Sequence, residues 1–328
     1  MYPRGEFSPP SDFTTEKETK SQNAVDIVLE HTRNERPKLK EFLGKHPLYT
    51  QHEIQNDEAR VKRAQEDFKN RDSKLSKDHQ KRNQERKKLS DALESTVVNL
   101  GELSDWFGEN SSVIQTSEYV DIIQHIDGIL EIKIEIPNSN GQTRIERIAL
   151  AIDASTSNDE DIIKKKIVTN GRIMISSTKN KEPAVKYFES SDGTAGPIQD
   201  IIPVVIGLEK DSTENLVKLY ADILTARQSK LPGIARQLKD KAQVHPAQQL
   251  FLRQIKTQLI TYHRILKTSS DPQKNILVKK LETLFNLFDG IERQKEKQGI
   301  KLDSMINDGV YNQITTICNT LTFDQLST

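Results

Sequence analysis

The spacing of apolar residues changes along the chain and indicates a small sheet within a largely helical protein. In residues 128–136, isoleucines alternate with lysine and glutamate, which is the period of a half-buried strand. A second strand is predicted over 144–152, where the sequence begins polar and ends as an apolar run. Residues 198–208 predict a third, buried strand, although Pro203 weakens its first half. The sheet is therefore expected near the middle of the chain.

Helical spacing accounts for most of the remaining sequence. The charged stretch 57–91 contains no Pro or Gly, and opposite charges recur three or four residues apart, which predicts one long solvated helix. Amphipathic helices are predicted over 92–106 and 113–126, before the strands. After the second strand, helices are predicted over 159–169, 214–226, 245–266, 275–297 and 310–321.

The charged helix 57–91 has three interpretations. It carries 12 Lys/Arg and 8 Asp/Glu, a pattern that is typical of a solvated helical arm. A weak coiled coil is an alternative, because Val61, Phe68 and Leu75 recur every seven residues. An arm that follows a nucleic acid is another, since its excess of positive charge is compatible with phosphate contact.

These patterns divide the chain into four parts. Residues 1–23 are polar, which predicts a disordered leader, and residues 24–110 form the charged helical arm. Residues 111–225 contain the predicted strands and form an α/β (α+β) core with a small mixed central sheet. Residues 226–328 form a mostly α-helical C-terminal region.

Composition excludes several classes of protein. The chain has 328 residues with 48 Lys/Arg and 48 Asp/Glu, so its net charge does not indicate a nucleic-acid-binding protein. Cys318 is the single cysteine, which excludes an intrachain disulfide framework and a Cys-based zinc site. The sequence has no run of about 18 apolar residues that would predict a membrane span, and its first residues do not predict a secretory signal. We therefore expect a soluble cytoplasmic protein.

Candidate chemistry concentrates around the first two strands. Asp121 and Asp127 precede the first strand, and Asp153 closes the second. A carboxylate at the end of a buried strand costs free energy unless it is paired or binds a cation. Because a hairpin-like turn joins the two strands, we expect Asp127 and Asp153 to converge, so that both can bind one divalent metal ion.

The order helix, strand, strand, helix, strand within 113–208 resembles the PD-(D/E)XK nuclease-like superfamily. Asp127-Gly128 matches the Asp of the motif without its preceding proline, and Asp153-Ala154-Ser155 occupies the (D/E)-x-K position with serine in place of lysine. The resemblance implies a sheet of the restriction-endonuclease-like type. It also implies Mg²⁺- or Mn²⁺-dependent hydrolysis of phosphodiester bonds in nucleic acid, with DNA favoured over RNA as the partner.

The same resemblance implies roles for individual residues. Asp127 and Asp153 would bind the metal, and Asp121 or Glu118 would complete its ligands. In this superfamily the lysine sometimes lies on the following helix. Helical spacing then favours Lys166, because it falls on the apolar face of that helix while the two lysines before it point away. Asp127, Asp153 and Lys166 are thus the implied catalytic residues.

Each of these residues also has a structural explanation. Asp127-Gly128 is a common turn sequence, and Asp153 is a favoured N-cap for the helix that follows. Glu118 and Asp121 lie three residues apart on one helical face, where exposed carboxylates are ordinary. Lys166 can extend from an apolar face to solvent.

Two other functions are alternatives to nuclease activity. A nuclease-like fold without catalytic activity would serve to bind a nucleic acid or a protein. A helical scaffold would instead recruit a protein partner, or a second copy of the chain, through the charged helix.

Overall fold

The structure is a computed structural model that describes residues 11–137, 143–175, 184–268, 272–302 and 305–327. Its elements follow in the order α1 (Ser11–Glu35), a short 3-10 helix (Leu39–Phe42), α2 (Gln51–Asp72), α3 (Lys77–Leu103), β1 (Ser111–Gln115), α4 (Glu118–Gln124), β2 (Gly128–Pro137), β3 (Thr143–Ser155), α5 (Glu160–Ile175), β4 (Ile202–Gly207), α6 (Lys210–Gln228), α7 (Pro232–Gln243), α8 (Ala247–Lys267), α9 (Pro272–Lys297), α10 (Gly309–Thr320) and α11 (Phe323–Ser327). None of the helices in these ranges combines the length and the apolar character that crossing a bilayer requires.

Strands β1 to β4 form one mixed sheet in the spatial order β1-β2-β3-β4. β2 pairs antiparallel with both β1 and β3, whereas β4 runs parallel to β3. A parallel pair requires a crossover connection, and α5 lies in the connection between β3 and β4. The prediction of a small mixed sheet in an α/β protein is therefore confirmed. Pro203 is tolerated in β4 because this strand lies at an edge of the sheet.

Helices cover both faces of the sheet. On one face, Leu130, Leu150 and Val204 belong to a large core that includes apolar side chains of α3, α6 and α8. On the other face, Ile129 and Ala151 pack with residues of α2 and α4. α5 and α10 form a separate apolar cluster beside β4. Successive residues of β2 and β3 thus enter different cores, as the alternation of a strand requires.

Two glutamines of α8 pair with the outer edge of β4. The side-chain amide of Gln258 accepts from the N–H of Val205 at 2.8 Å and donates to its carbonyl at 2.6 Å. Gln254 makes the same pair of bonds with Gly207, each at 2.9 Å. These amides replace the main chain of a further strand and satisfy an edge that would otherwise be open to pairing.

The charged stretch 57–91 forms two helices instead of the single helix predicted. α2 ends and α3 begins within this stretch, and Ser76 caps α3 by accepting from the N–H of His79 at 3.4 Å. Serine favours caps over helix interiors because its hydroxyl bonds to nearby main chain. α3 then continues through most of the helix predicted over 92–106.

The prediction of one helix over 113–126 is wrong in its first half. Residues 111–115 form β1, in which the β-branched Val113 and Ile114 pair with β2. Ser117 then caps α4, so that the helical part is short. A five-residue strand next to a seven-residue helix leaves no periodicity long enough to be recognised.

Four further segments differ from the predictions or lie outside the described residues. α1 begins at Ser11, inside the predicted leader, because no Pro or Gly interrupts the chain before its buried residues Val25 and Val28. α7 occupies a segment for which no helix was predicted, and Ala242 is its buried residue. Residues 1–10 of the leader and the turn between the first two strands, at 138–142, lie outside the described part.

Candidate metal centre

The pairing of β2 with β3 places Asp127 beside Asp153. Gly128 pairs with Ile152, so Asp127 and Asp153 are the next residues along the two antiparallel chains. The N–H of Asp127 donates to the carbonyl of Ile152 at 2.9 Å. Its carboxylate Oδ2 accepts from the N–H of Ala154 at 2.7 Å. Opposite residues of an antiparallel pair project from the same face, so the structure brings these two predicted residues together.

Glu94 of α3, which was not a predicted site residue, reaches the same point. α3 lies very close to the start of β2, since a Cβ on Gly128 would be 3.2 Å from a methyl group of Val98. Glu94 precedes Val98 by four residues and projects from the same side of the helix. One oxygen each of Glu94, Asp121 and Asp127 lies within 4.8 Å of the others. Gly128 therefore allows α3 to approach β2 closely. Asp127-Gly128 does not form a turn, which was the alternative interpretation of this sequence.

Asp121 enters this carboxylate cluster from the first turn of α4. Ser117 caps the helix by accepting from the N–H of Val120 at 3.5 Å. Arg36, one residue beyond α1, forms an ion pair with the Asp121 carboxylate. The two side chains are 22% and 23% exposed, so the pair is only partly screened by water. Asp121 is thus held by a cation from a distant part of the chain.

Lys166 of α5 forms an ion pair with Asp153, and its Nζ also lies 3.4 Å from the carbonyl of Ala154. Ile163 and Ile167 are completely buried on the adjacent face of α5 and fix the helix in place. The two lysines that precede Lys166 are exposed. Of the three lysines in this run, Lys166 is therefore the one that reaches the carboxylates.

Burial and mutual repulsion oppose ionisation of the cluster. Burial, followed by repulsion from Asp153 and Asp121, raises the pKa of Asp127 well above its usual range. Burial, followed by repulsion from Asp127 and Asp91, does the same to the pKa of Glu94. Burial also raises the pKa of Asp91, one turn earlier on α3, to about 6. A divalent cation bound here would favour the ionised carboxylates and relieve their repulsion.

The Asp153–Lys166 pair has a different electrostatic balance. Burial raises the pKa of Asp153, and attraction to Lys166 opposes the shift. Burial lowers the pKa of Lys166, but attraction from Asp153 outweighs it, so that the pKa ends above its ordinary value. Lys166 is consequently an ammonium ion at neutral pH and acts as a fixed positive charge, not as a base.

These side chains line one open cavity of about 1280 Å³. The cavity is larger than the roughly 300–1,000 Å³ of most small-molecule pockets. Four further cations, Arg60, Arg147, Lys165 and Lys280, also line it. The wall of the cavity thus combines acidic groups that suit a metal with basic groups that suit an anionic substrate. The wall includes the side chains described above, namely Glu94, Asp121, Asp127, Asp153 and Lys166.

Two predicted ligands lie outside the three-carboxylate group. Glu118 lies exposed at the start of α4, and Asp153 pairs with Lys166, whereas Glu94 is a member of the group. A signal for Glu94 was present in the sequence. Its neighbours three and four positions on, Val97 and Val98, are buried, and a carboxylate on such a face costs free energy unless it has a partner.

Comparisons with known proteins add no relative to this description. No protein-family model matches the chain, and searches of curated proteins and of solved structures find no match either. A function must therefore be argued from the geometry and chemistry of the site.

Proposed function

We propose that the protein is a metal-dependent nuclease that hydrolyses phosphodiester bonds of nucleic acid in this cavity. The observation that carries the proposal is the grouping of Glu94, Asp121 and Asp127 within 4.8 Å, beside the Asp153–Lys166 ion pair. Ionised carboxylates this close together are costly unless a cation binds between them. Phosphodiester hydrolysis uses such a set of groups, namely oxygen ligands for a divalent cation and a fixed positive charge beside them.

The oxygen donors suit Mg²⁺ or Mn²⁺. Mg²⁺ takes one or two carboxylates together with water and phosphate oxygens, and Mn²⁺ accepts the same donors. Glu94 and Asp127 are the strongest candidate ligands, because Asp121 already pairs with Arg36. Since metal ligands must be deprotonated, the raised pKa values of Glu94 and Asp127 predict that metal affinity increases with pH.

A bound divalent cation would polarise the phosphate, lower the pKa of a water molecule and neutralise the leaving oxygen. The residues of the chain position the substrate. The Lys166 ammonium is held by Asp153 and by the carbonyl of Ala154, beside the carboxylate cluster, where it can bind a phosphate oxygen. Because its pKa is raised, Lys166 contributes by charge and leaves proton acceptance to other groups.

The resemblance to the PD-(D/E)XK superfamily supports the proposal in two respects. The superfamily takes one acidic residue from the first helix of its core, and Asp121 of α4 has this position, with Glu94 of α3 beside it. The motif lysine is absent at Ser155, and Lys166 supplies an ammonium next to Asp153 from the following helix. DNA stays the favoured substrate on the strength of this resemblance.

Cleavage of a supercoiled plasmid tests the proposal. The purified protein should nick or linearise the plasmid with Mg²⁺ or Mn²⁺, and EDTA should abolish the reaction. Asp127→Asn and Lys166→Met should each lower the rate by roughly 100-fold or more, the usual effect of removing one electrostatic contact to the transition state. Glu118→Gln, a matched loss of an exposed carboxylate, should leave the rate unchanged. Equal cleavage by the wild type and by Asp127→Asn would overturn the proposal.

One observation favours a second function, in which the protein binds nucleic acid without metal and does not cleave it. Arg36 and Lys166 already pair with Asp121 and Asp153, so the protein's own cations neutralise two of the carboxylates. Thermal unfolding separates the two functions, because a ligand that binds only the native state raises Tm. A rise in Tm with Mn²⁺ that Asp127→Asn abolishes supports the nuclease. Duplex binding with neither a Tm shift nor cleavage supports the second function.

A further inference from the structure

Next to the cavity, residues 62–88, from the end of α2 through the start of α3, form a solvated hairpin that the proposed chemistry does not use. Residues 62–88 contain six more Lys/Arg than Asp/Glu, and almost all of these side chains are exposed. The Arg71 guanidinium carbon lies 4.6 Å from the ring centroid of Phe68 on the same helix, and Nζ of Lys87 on α3 lies 5.8 Å from it. Because cations of both helices meet at this ring, the two helices fold back on each other.

Two of these cations, Arg71 and Lys87, lie on the same side of their helices as residues that line the cavity. Arg60 of α2 and Glu94 of α3 both line it. Arg71 follows Arg60 by eleven residues and Lys87 precedes Glu94 by seven. At about 100° per residue, each cation lies within about 20° of the cavity-lining residue on its own helix. At about 1.5 Å per residue they lie roughly 17 and 11 Å farther along the hairpin. We call Arg60, Arg71 and Lys87 the cationic stripe.

On the basis of the proposed function, we propose that the cationic stripe binds the phosphate backbone of a nucleic-acid duplex and leads it into the cavity. Phosphates of one strand recur about every 3.4 Å along a duplex, so the outer cations would meet phosphates roughly three to five base pairs from the cavity. Such contacts position a duplex without reading its sequence. The stripe therefore adds affinity and orientation, while the carboxylate cluster supplies the chemistry.

The aromatic content of the hairpin favours a duplex over a single strand. Proteins that bind single strands combine positive charge with exposed aromatic side chains on which bases stack. Between residues 60 and 94 the sequence contains one Phe and no Tyr or Trp. That residue, Phe68, has Arg71 and Lys87 over its ring, which leaves the hairpin with charge as its main means of binding.

A salt titration tests the stripe. Binding of a fluorescein-labelled 20-base-pair DNA duplex is followed by anisotropy in EDTA, so that the result does not depend on cleavage. The test variant is Arg71→Gln with Lys87→Gln. The control is Lys69→Gln with Lys81→Gln, which removes the same number of positive charges. Lys69 lies about 180° around α2 from Arg60, and Lys81 lies about 140° around α3 from Glu94. Both variants change exposed side chains and should unfold at the wild-type Tm.

The expected result is specific to the stripe variant. Each phosphate contact contributes about 0.9 to the slope of log K against log salt, so two lost contacts should reduce the slope by about 1.8. If the proteins bind equally at 1 M salt, this corresponds to roughly 60-fold weaker binding at 0.1 M. The control should keep the wild-type slope.

Three outcomes would overturn the proposal: an unchanged slope in the stripe variant, equal losses in both variants, or tighter wild-type binding of a single strand of the same length. Failure of the nuclease proposal would look different. A wild type that never cleaves, but whose duplex binding depends on Arg71 and Lys87, would refute the chemistry and leave the stripe as a duplex-binding surface.

Discussion

The replacement Asp127→Asn should stabilise the metal-free protein. Asparagine keeps a side-chain oxygen that can accept from the N–H of Ala154, a bond of 2.7 Å in the structure. It removes the negative charge that faces Glu94 and Asp121. A residue proposed to bind a metal thus reduces the stability of the fold in the absence of metal, as is common for functional sites.

The magnitude follows from the geometry of the cluster. Two unit charges 4.8 Å apart repel by about 3.5 kcal/mol at an effective dielectric constant of about 20. We count only the repulsion from Glu94, because Arg36 offsets the charge of Asp121 and Lys166 offsets that of Asp153. The carboxylates are only half-buried, so screening by water reduces the gain. We therefore expect about 2 kcal/mol at pH 7, or roughly 3 °C in Tm for a chain of this size.

The gain should depend on pH. Folding raises the pKa of Asp127, so the native state keeps this proton to a higher pH than the unfolded state does. A raised carboxyl pKa contributes stability that is fully present below the unfolded pKa and is lost as pH rises toward the folded pKa. Asparagine does not titrate. The advantage of Asp127→Asn should therefore be close to zero near pH 4 and should grow toward pH 7.

Thermal and urea unfolding in EDTA at pH 4, 5, 6 and 7 would measure this trend. Glu118→Gln is the control, since it removes one exposed carboxylate from α4 and should change stability by less than about 0.5 kcal/mol. The reasoning is refuted if Asp127→Asn is less stable than the wild type at pH 7, or if its advantage is the same at every pH.

Three other parts of the fold give predictions. Gly207→Ala should prevent folding or lower Tm severely in thermal melts, because the new Cβ would lie 2.1 Å from a carbonyl oxygen of β3. Gly290→Ala should instead stabilise α9 by about 1 kcal/mol, because within the described residues its Cβ would have no heavy atom beyond its own helix turn within 4 Å. Gln258→Leu should lower the urea-derived free energy of unfolding by about 2–4 kcal/mol and increase light scattering, because it leaves an N–H and a carbonyl of β4 unpaired. Burial lowers the pKa of His245 to about 4, so stability should be lost as pH falls from about 6.5 toward 4, and His245→Phe should remove that loss in Tm measured against pH.

Local patterns were sufficient for the elements whose sequence repeats long enough to be recognised. β2 alternates from Leu130 to Ile136, and the helices of the C-terminal region keep their apolar spacing for several turns. Local patterns were not sufficient to predict β1 and α4, since each is short and the two adjoin at Thr116 and Ser117. The break between α2 and α3 was missed for another reason. It depends on the cap at Ser76, and the charge pattern continues through it unchanged.

The contacts of the candidate site that depend on local strand pairing could be predicted, and those that depend on tertiary packing could not. Asp127 and Asp153 could be paired in advance, because the register of one hairpin sets them opposite each other. The burying face of α3 marks Glu94 as a residue that needs a partner, but its meeting with Asp127 could not be predicted, because it depends on how α3 packs against Gly128. Arg36 was equally hidden, since 85 residues separate it from its partner. Contacts of this kind depend on tertiary packing, which single-sequence periodicity does not encode.

The packing around Ser155 explains why a lysine at that position would not serve the site. Ser155 is 3% exposed, and its hydroxyl accepts from the N–H of Ser157 at 3.3 Å. A lysine there would bury its ammonium or disrupt the pairing of β3 with β4, and either change costs several kcal/mol. A cation on α5 avoids both costs, because Lys166 remains 30% exposed while it reaches Asp153. The position of the Lys166 ammonium beside the carboxylates then depends on how α5 packs through Ile167 against the core beside β4.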